Sequence, residues 1–300
     1  MKKKTKKSTE QSVFVDLTYD SGFKAVFADK ANKPLLVRLL NNLLPPEARV
    51  ADITSYLDRE QGKDTPDGKR TQLDLVCEGP NGERFLVEFQ RSRENAFFQR
   101  CVYYAAGAYH IRLKEKEPYD VLRPVYSIGL LNYNLPHTIA EPEKTENLIS
   151  EYIFMEKRTK EIAPPTISII FAELGRFAKG EQDCRTELDW LFYIFRNSSS
   201  LTDIPEEIRE EPFFDELLDA CRVATFPETK KMIYERNIMR ERDIIAQREY
   251  AVEQARIESE TETKVAAAHN LLAAGIAPEV ISSCLGLPLE EVEALDGKNV

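Results

Sequence analysis

The sequence predicts a mixed α/β protein whose C-terminal part is wholly helical, and three observations predict it. Residues 71–90 alternate apolar and polar side chains in two short runs around a turn, the pattern of a β-hairpin. Stretches with helical spacing interleave with further strand-like runs as far as about residue 175. Past residue 186 the spacing is helical throughout, and residues 228–268 contain neither proline nor glycine.

Taken in order, residues 1–15 open with Met1-Lys2-Lys3-Lys4-Thr5-Lys6-Lys7 and read as a basic disordered tail. No hydrophobic segment follows the lysines, so they do not form a secretory signal. Asp20 or Ser21 can cap a short helix carrying Phe23, Val26 and Phe27 on one side. Pro34 opens a second helix over 35–44, apolar on most faces, which Pro45 and Pro46 stop. A strand is expected at 50–58, then a polar segment in which Thr65-Pro66-Asp67-Gly68 is turn chemistry, and then the hairpin. In a helix over 93–114, Phe97, Phe98, Cys101, Val102, Ala105, Ala108 and Ile111 are expected to pack on a sheet. Strands follow at 124–131, 152–158 and 166–174. Leu188, Trp190, Leu191, Tyr193, Ile194 and Phe195 mark a buried helix, and Pro205 and Pro212 open two shorter ones. The long helix, about 228–262, keeps no steady heptad, which gives only weak support for a homo-oligomer through the C-terminal helices. The tail, 265–296, has helix-turn-helix spacing, but its last helix reads Leu289-Glu290-Glu291-Val292-Glu293-Ala294-Leu295-Asp296. Four acids repel phosphate, so this unit is expected to pack or to bind a partner rather than to read DNA.

The hairpin carries the chemistry. Pro80-Asn81-Gly82 suits a three-residue loop, with Gly82 in the left-handed position. That loop sets Asp74 opposite Glu88 and Gln72 opposite Gln90. Residues so opposed have Cβ atoms about 4.5–5.5 Å apart, and like charges there are destabilising. Either a hard divalent cation sits between the two carboxylates, or they splay apart into water.

Asp74 on one strand, Glu88-Phe89-Gln90 on the next, Tyr19-Asp20-Ser21-Gly22-Phe23-Lys24 before them and Phe98-Gln99-Arg100 with Tyr103-Tyr104 after form a combined pattern. It resembles the PD-(D/E)XK nuclease superfamily, in the branch with Gln in place of the motif Lys. Within it the chain is similar to the Rpn family of recombination-promoting nucleases, over the first half to two thirds and more weakly beyond. The resemblance implies a restriction-endonuclease-like αβββαβ core, a mixed central sheet flanked by helices, over residues 16–175, followed by a helical region over 186–300. It implies a metal-dependent DNA endonuclease associated with recombination or mobile elements. Asp74 and Glu88 would bind Mg²⁺, with Mn²⁺ or Ca²⁺ as alternatives, aided by the Phe89 backbone carbonyl, and Asp20 is a further candidate ligand. Gln90 would orient the attacking water, and Lys24 would either supply the charge that Gln90 lacks or make a surface ion pair. Gln99, Tyr103, Arg100 and Arg91 are the candidate DNA contacts. The rival expectation is a catalytically degenerate nuclease fold that binds DNA or a partner, which Gln90 and the overall acidity favour.

The formal net charge of −10 opposes DNA binding unless basic residues concentrate on one face. Lys24, Lys63, Lys69, Arg70, Arg84, Arg91, Arg93 and Arg100 cluster in sequence near the proposed site, whereas much of the acid follows residue 200. Five scattered cysteines, odd in number and without metal-ligand spacing, suit free thiols in a reducing cytoplasm. Three histidines far apart in sequence, His110, His137 and His269, argue against a zinc cluster or a serine or cysteine triad, and no apolar run reaches the length of a membrane span.

Overall fold

The computed structural model describes residues 13–57, 60–61, 71–110, 113, 116–135 and 147–296. The lysine-rich start and the Thr65–Gly68 turn (residues 65–68) lie outside that set. Phe14 and Val15, placed in the tail by the sequence, are fully buried, and the Val15 N–H donates to the Cys221 carbonyl at 2.8 Å.

Two helices come first, α1 (Asp20–Phe27) and α2 (Lys33–Leu43). The strands β1 (Ser55–Tyr56), β2 (Glu60–Gln61), β3 (Thr71–Gln72), β4 (Leu75–Glu78) and β5 (Arg84–Gln90) lead into α3 (Phe97–His110). β6 (Val125–Leu131), β7 (Ile149–Tyr152) and β8 (Ile167–Glu173) complete the strands. A six-stranded mixed sheet has the order β1-β4-β5-β6-β8-β7, while β2 and β3 form a separate two-stranded ladder. β5, β6 and β8 are parallel, and β4 and β7 run against their neighbours.

The hairpin has the expected register, with Leu75↔Val87 and Cys77↔Phe85 paired. Its loop closes through the Gly79 N–H donating to Glu83 O at 2.9 Å, and Gly82 has φ +81°. The ladder stops at Leu75↔Val87, so neither of the expected pairs, Asp74 with Glu88 and Gln72 with Gln90, is part of it. The chain bends at Asp74, and Gln72 pairs with Glu60 rather than with Gln90. Asp74 Oδ2 instead accepts the Phe89 N–H at 2.8 Å, so a carboxylate takes the amide that another backbone pair would have used. The strand expected over 50–58 is reduced to two residues paired with the outer edge of β4.

Helices cover both faces of the sheet. On one, Phe97, Cys101, Tyr104, Ala105 and Ala108 of α3 pack on Leu73, Val76, Leu86 and Phe171. On the other, Phe23 and Phe27 of α1 meet Phe89 and Phe195, with Phe27 and Phe195 stacked at 5.6 Å and Phe89 and Phe195 at 6.4 Å. Phe195 belongs to α4 (Glu187–Asn197), which begins at a capping box in which the Asp189 N–H donates to Thr186 Oγ1 and the Thr186 N–H to Asp189 Oδ2. Burying a phenylalanine contributes about 1.5–3 kcal/mol, so this aromatic group fixes α1 against β5. Phe98 and Val102 depart from expectation: both are 39% exposed, since α3 turns only one stripe to the sheet.

α5 (Pro212–Cys221) follows, with its proline in the first turn, and α6 (Glu228–Ala273) runs 46 residues, past the expected end near 262. The chain divides into compact units at Ile238 and Met239. The second unit ends in α7 (Pro278–Leu285) and α8 (Leu289–Asp296), where Ala268, Ile281, Leu287 and Val292 form a small core. Glu290, Glu291 and Glu293 are exposed. Among the described residues no helix is long and apolar enough to cross a membrane. The five cysteines are free, four of them buried and Cys284 exposed.

Candidate active site

Where β5 ends, five of the side chains singled out by the sequence come together from three elements. α1 supplies Asp20 and Lys24, one turn apart on one face. The chain of α1 can lie close against the preceding segment because position 22 is glycine: a Cβ there would stand 2.0 Å from the Asp16 carbonyl oxygen. The bend supplies Asp74, and β5 supplies Glu88 and Gln90.

Lys24 Nζ lies 2.7 Å from Asp20 Oδ2 and 2.9 Å from Asp74 Oδ1. Asp74 is thus held twice, by the ammonium and by the Phe89 amide. Asp20 does not cap α1; no side chain does, and its carboxylate faces Lys24. Its other oxygen, Oδ1, is buried without a hydrogen-bond partner among the described residues. Burial, with the Asp20 charge beside it, pushes the Asp74 pKa up, and Lys24 only partly opposes that. Burial lowers the Lys24 pKa, but the two aspartates outweigh it and raise the pKa overall. Asp74 and Lys24 therefore both hold their protons more tightly than isolated groups would.

Glu88 is held from the other helix. Arg100, in the first turn of α3, places Nη2 2.6 Å from Glu88 Oε1 and 3.0 Å from Gln90 Oε1, and its Nη1 pairs with Glu94. The guanidinium also lies over the Phe97 ring, 4.8 Å from its centroid. Burial raises the Glu88 pKa against the pull of Arg100. Gln90 is engaged at both ends, because its Nε2 donates to Ser92 O at 3.0 Å. Glu94 and Ser92 carry no signal in the sequence, because their parts depend on how the chain turns between β5 and α3.

The remaining candidates lie elsewhere. Arg91 donates to Thr18 Oγ1 at 2.9 Å and stacks on Tyr19 at 4.0 Å. Gln99 and Tyr103 are on the exposed side of α3, with Tyr103 56% accessible.

A family model described as PD-(D/E)XK nuclease family transposase matches residues 17–251, from the segment before α1 well into α6. The chain belongs to that family. No curated protein and no solved structure matches it. The match takes in Asp20, Lys24, Asp74, Glu88 and Gln90, and the sheet that carries them is the mixed, helix-flanked sheet of a PD-(D/E)XK nuclease. Membership supports a nuclease or mobile-element role, and nucleases of this superfamily generally use divalent metals.

The donors fit such an ion in kind. Asp20, Asp74, Glu88 and the Phe89 carbonyl offer hard oxygens of the type that Mg²⁺, Mn²⁺ and Ca²⁺ prefer, and Asp20 Oδ1 is a buried acceptor with no donor among the described residues. As the side chains are placed, no three His, Cys, Asp or Glu among the described residues are gathered closely enough to hold a metal. Lys24 and Arg100 neutralise the acids instead.

Proposed function

We propose that this PD-(D/E)XK family member is a metal-dependent DNA endonuclease that cleaves phosphodiester bonds, acting in recombination or on mobile elements. The observation that carries the reading is Asp74. A carboxylate kept largely out of water at a bend, fastened to the Phe89 amide and set beside Asp20 and Lys24, is the kind of perturbed, closely grouped charge that marks a working site. A bound Mg²⁺, or Mn²⁺, would lower the pKa of a water molecule and neutralise charge on the phosphate under attack. The chain's own residues would do the rest. Asp74, Glu88 and the Phe89 carbonyl hold the ion, with Asp20 as a further ligand. Lys24 brings the positive charge that the motif lysine supplies elsewhere in the superfamily. Gln90 can only donate a hydrogen bond to the water, and Arg100 keeps it and Glu88 oriented. Gln99 and Tyr103, exposed on α3, and Arg91 are the groups offered to the DNA backbone.

A supercoiled plasmid tests this. The wild type should nick it with Mg²⁺ or Mn²⁺ and not with a chelator, and Asp74→Ala should lose the activity. Nicking that survives Asp74→Ala would remove the site from consideration. One observation favours a second reading, a degenerate nuclease fold that binds DNA without cutting: both ends of the Gln90 amide are already engaged. DNA binding with no nicking under Mg²⁺, Mn²⁺ or Ca²⁺ would decide for it.

A further inference from the structure

The sheet has two edges, and among the described residues only one is protected. Natural sheets blunt their edges with very short strands, charges or proline. β1 is two residues long. β7 sits at the other edge and continues in extended form to Met155, where Met155 and Ile162 bridge the two sides of a hairpin arm. Over residues 149–155 the sequence is Ile-Ser-Glu-Tyr-Ile-Phe-Met, with one charge and no proline. The apolar side chains of this edge face solvent: Phe154 is 58% and Ile162 63% exposed. The Tyr152 ring meets exposed Phe98 of α3 edge-on at 5.0 Å, so the patch continues from the strand onto the helix.

The main chain is equally open. The Glu173 N–H donates to Leu148 O and the Ala163 N–H to Phe154 O, so even-numbered residues of this strand turn their backbone groups inward. By alternation the backbone groups of Glu151 and Ile153 point outward.

We propose that a second copy of this chain docks here, with β7 pairing antiparallel to its counterpart across a two-fold axis at Ile153. The two six-stranded sheets then become one. In that register outward-facing Ile153 meets its own symmetry mate in a hydrogen-bonded pair. Tyr152 of one copy meets Phe154 of the other on the face that also carries Phe98. Phe98, Tyr152, Ile153, Phe154, Met155 and Ile162 are each between 39% and 63% exposed, open apolar surface on the order of the 800 Å² per partner that a standard interface covers. Nucleic acid is a poor occupant of the strand edge itself, because residues 149–155 carry one acid and no cation; Lys157, Arg158 and Lys160 lie beyond it, at the tip of the arm. The patch also flanks the end of the sheet where β5, β6 and β8 begin, whereas Glu88 and Gln90 lie where β5 finishes. The dimer therefore leaves both carboxylate clusters uncovered.

Sedimentation velocity on the full chain from about 1 to 100 μM measures the association directly. The wild type should sediment as a dimer. Ile153→Pro removes the outward N–H, and Phe154→Glu charges a solvent-facing position that the fold does not need. Each should raise the dimer dissociation constant about tenfold or more. Hydrogen exchange at the Ile153 amide should be slow in wild type and fast in Phe154→Glu. A wild type that stays monomeric throughout overturns the proposal. So does a Phe154→Glu protein that dimerises as the wild type does, the result expected if the C-terminal helices joined the copies. Because Phe154 is mostly exposed, its variant decides the matter even if Ile153→Pro misfolds.

Discussion

The charges around β5 and those along α6 are of the same chemical types and serve different ends. Around β5, two cations serve carboxylates that are largely out of water, and Asp74 and Glu88 keep only 11% and 15% of their side-chain surface. Along α6, Arg256 pairs with Glu253 and Glu260 in full solvent, one turn apart. Buried charge is expensive and persists only where each group is paired or has a task. Exposed charge of the helical kind contributes a few tenths of a kcal/mol per pair and keeps the helix in solution. Burial, rather than the number of ion pairs, separates a candidate site from a solvated surface.

The largest expected effect sharpens that contrast at its buried end. Glu88→Ala should reduce nicking about 10³-fold or more, as loss of a metal-holding carboxylate does, with DNA binding retained. Isothermal titration with Mn²⁺ gives a second readout, since the same variant should lose heat of binding. Undiminished nicking by Glu88→Ala would return this carboxylate to a structural role as the anchor of Arg100.

Lys24→Met comes next. It removes the ammonium between Asp20 and Asp74 and leaves two adjacent carboxylates with little compensation. We expect a loss of about 2 kcal/mol of stability in urea unfolding at pH 7, between the cost for a buried pair and that for an exposed one. Metal should restore part of it, because a bound cation would replace the missing charge. If Lys24 were a surface ion pair and nothing more, the loss would be small and metal would not matter.

Much of this was legible from local pattern. The hairpin register, its Pro80-Asn81-Gly82 loop and the interleaved helices follow from alternation and turn chemistry, which depend on neighbours in sequence. The ladder's early end was not legible, because only the side chain of Asp74 competes for the Phe89 amide. Arg100 was expected to reach DNA and is instead locked onto Glu88, Gln90 and Glu94. That outcome depends on the path of residues 91–96, where Ala96 has φ +59°, unusual for a non-glycine residue. Phe98 and Val102 fit a core-facing helical spacing, but the stripe given to the sheet is narrower than the apolar face of α3.

An intermediate case lies between the two regions. Glu187, at the start of α4, is gripped by Arg38, and its pKa is lowered chiefly by that hydrogen-bonded contact, with Asn42 adding to it. A carboxyl whose pKa is depressed by folding stabilises the protein above its unfolded pKa. That contribution is lost as pH falls through the folded value. The stability of the wild type should therefore fall below about pH 4.3 in part through Glu187. Glu187→Gln should cost up to about 1 kcal/mol at pH 7 and flatten that part of the acid slope. An unchanged slope would mean that Arg38 finds an equivalent partner.

The smallest effect belongs to the exposed end of the comparison, and there the expected result is none. Arg256 bridges acids on either side along α6, and its side chain is 60% accessible. Water and salt screen such pairs, and arginine and alanine both favour helix. Arg256→Ala should leave the thermal midpoint and the nicking rate unchanged within error. A measurable loss of stability would show that Arg256 packs against something that its ion pairs do not reveal. A loss of nicking alone would mean that α6 takes part in holding DNA, and the division drawn here between buried working charge and exposed solvating charge would have to move.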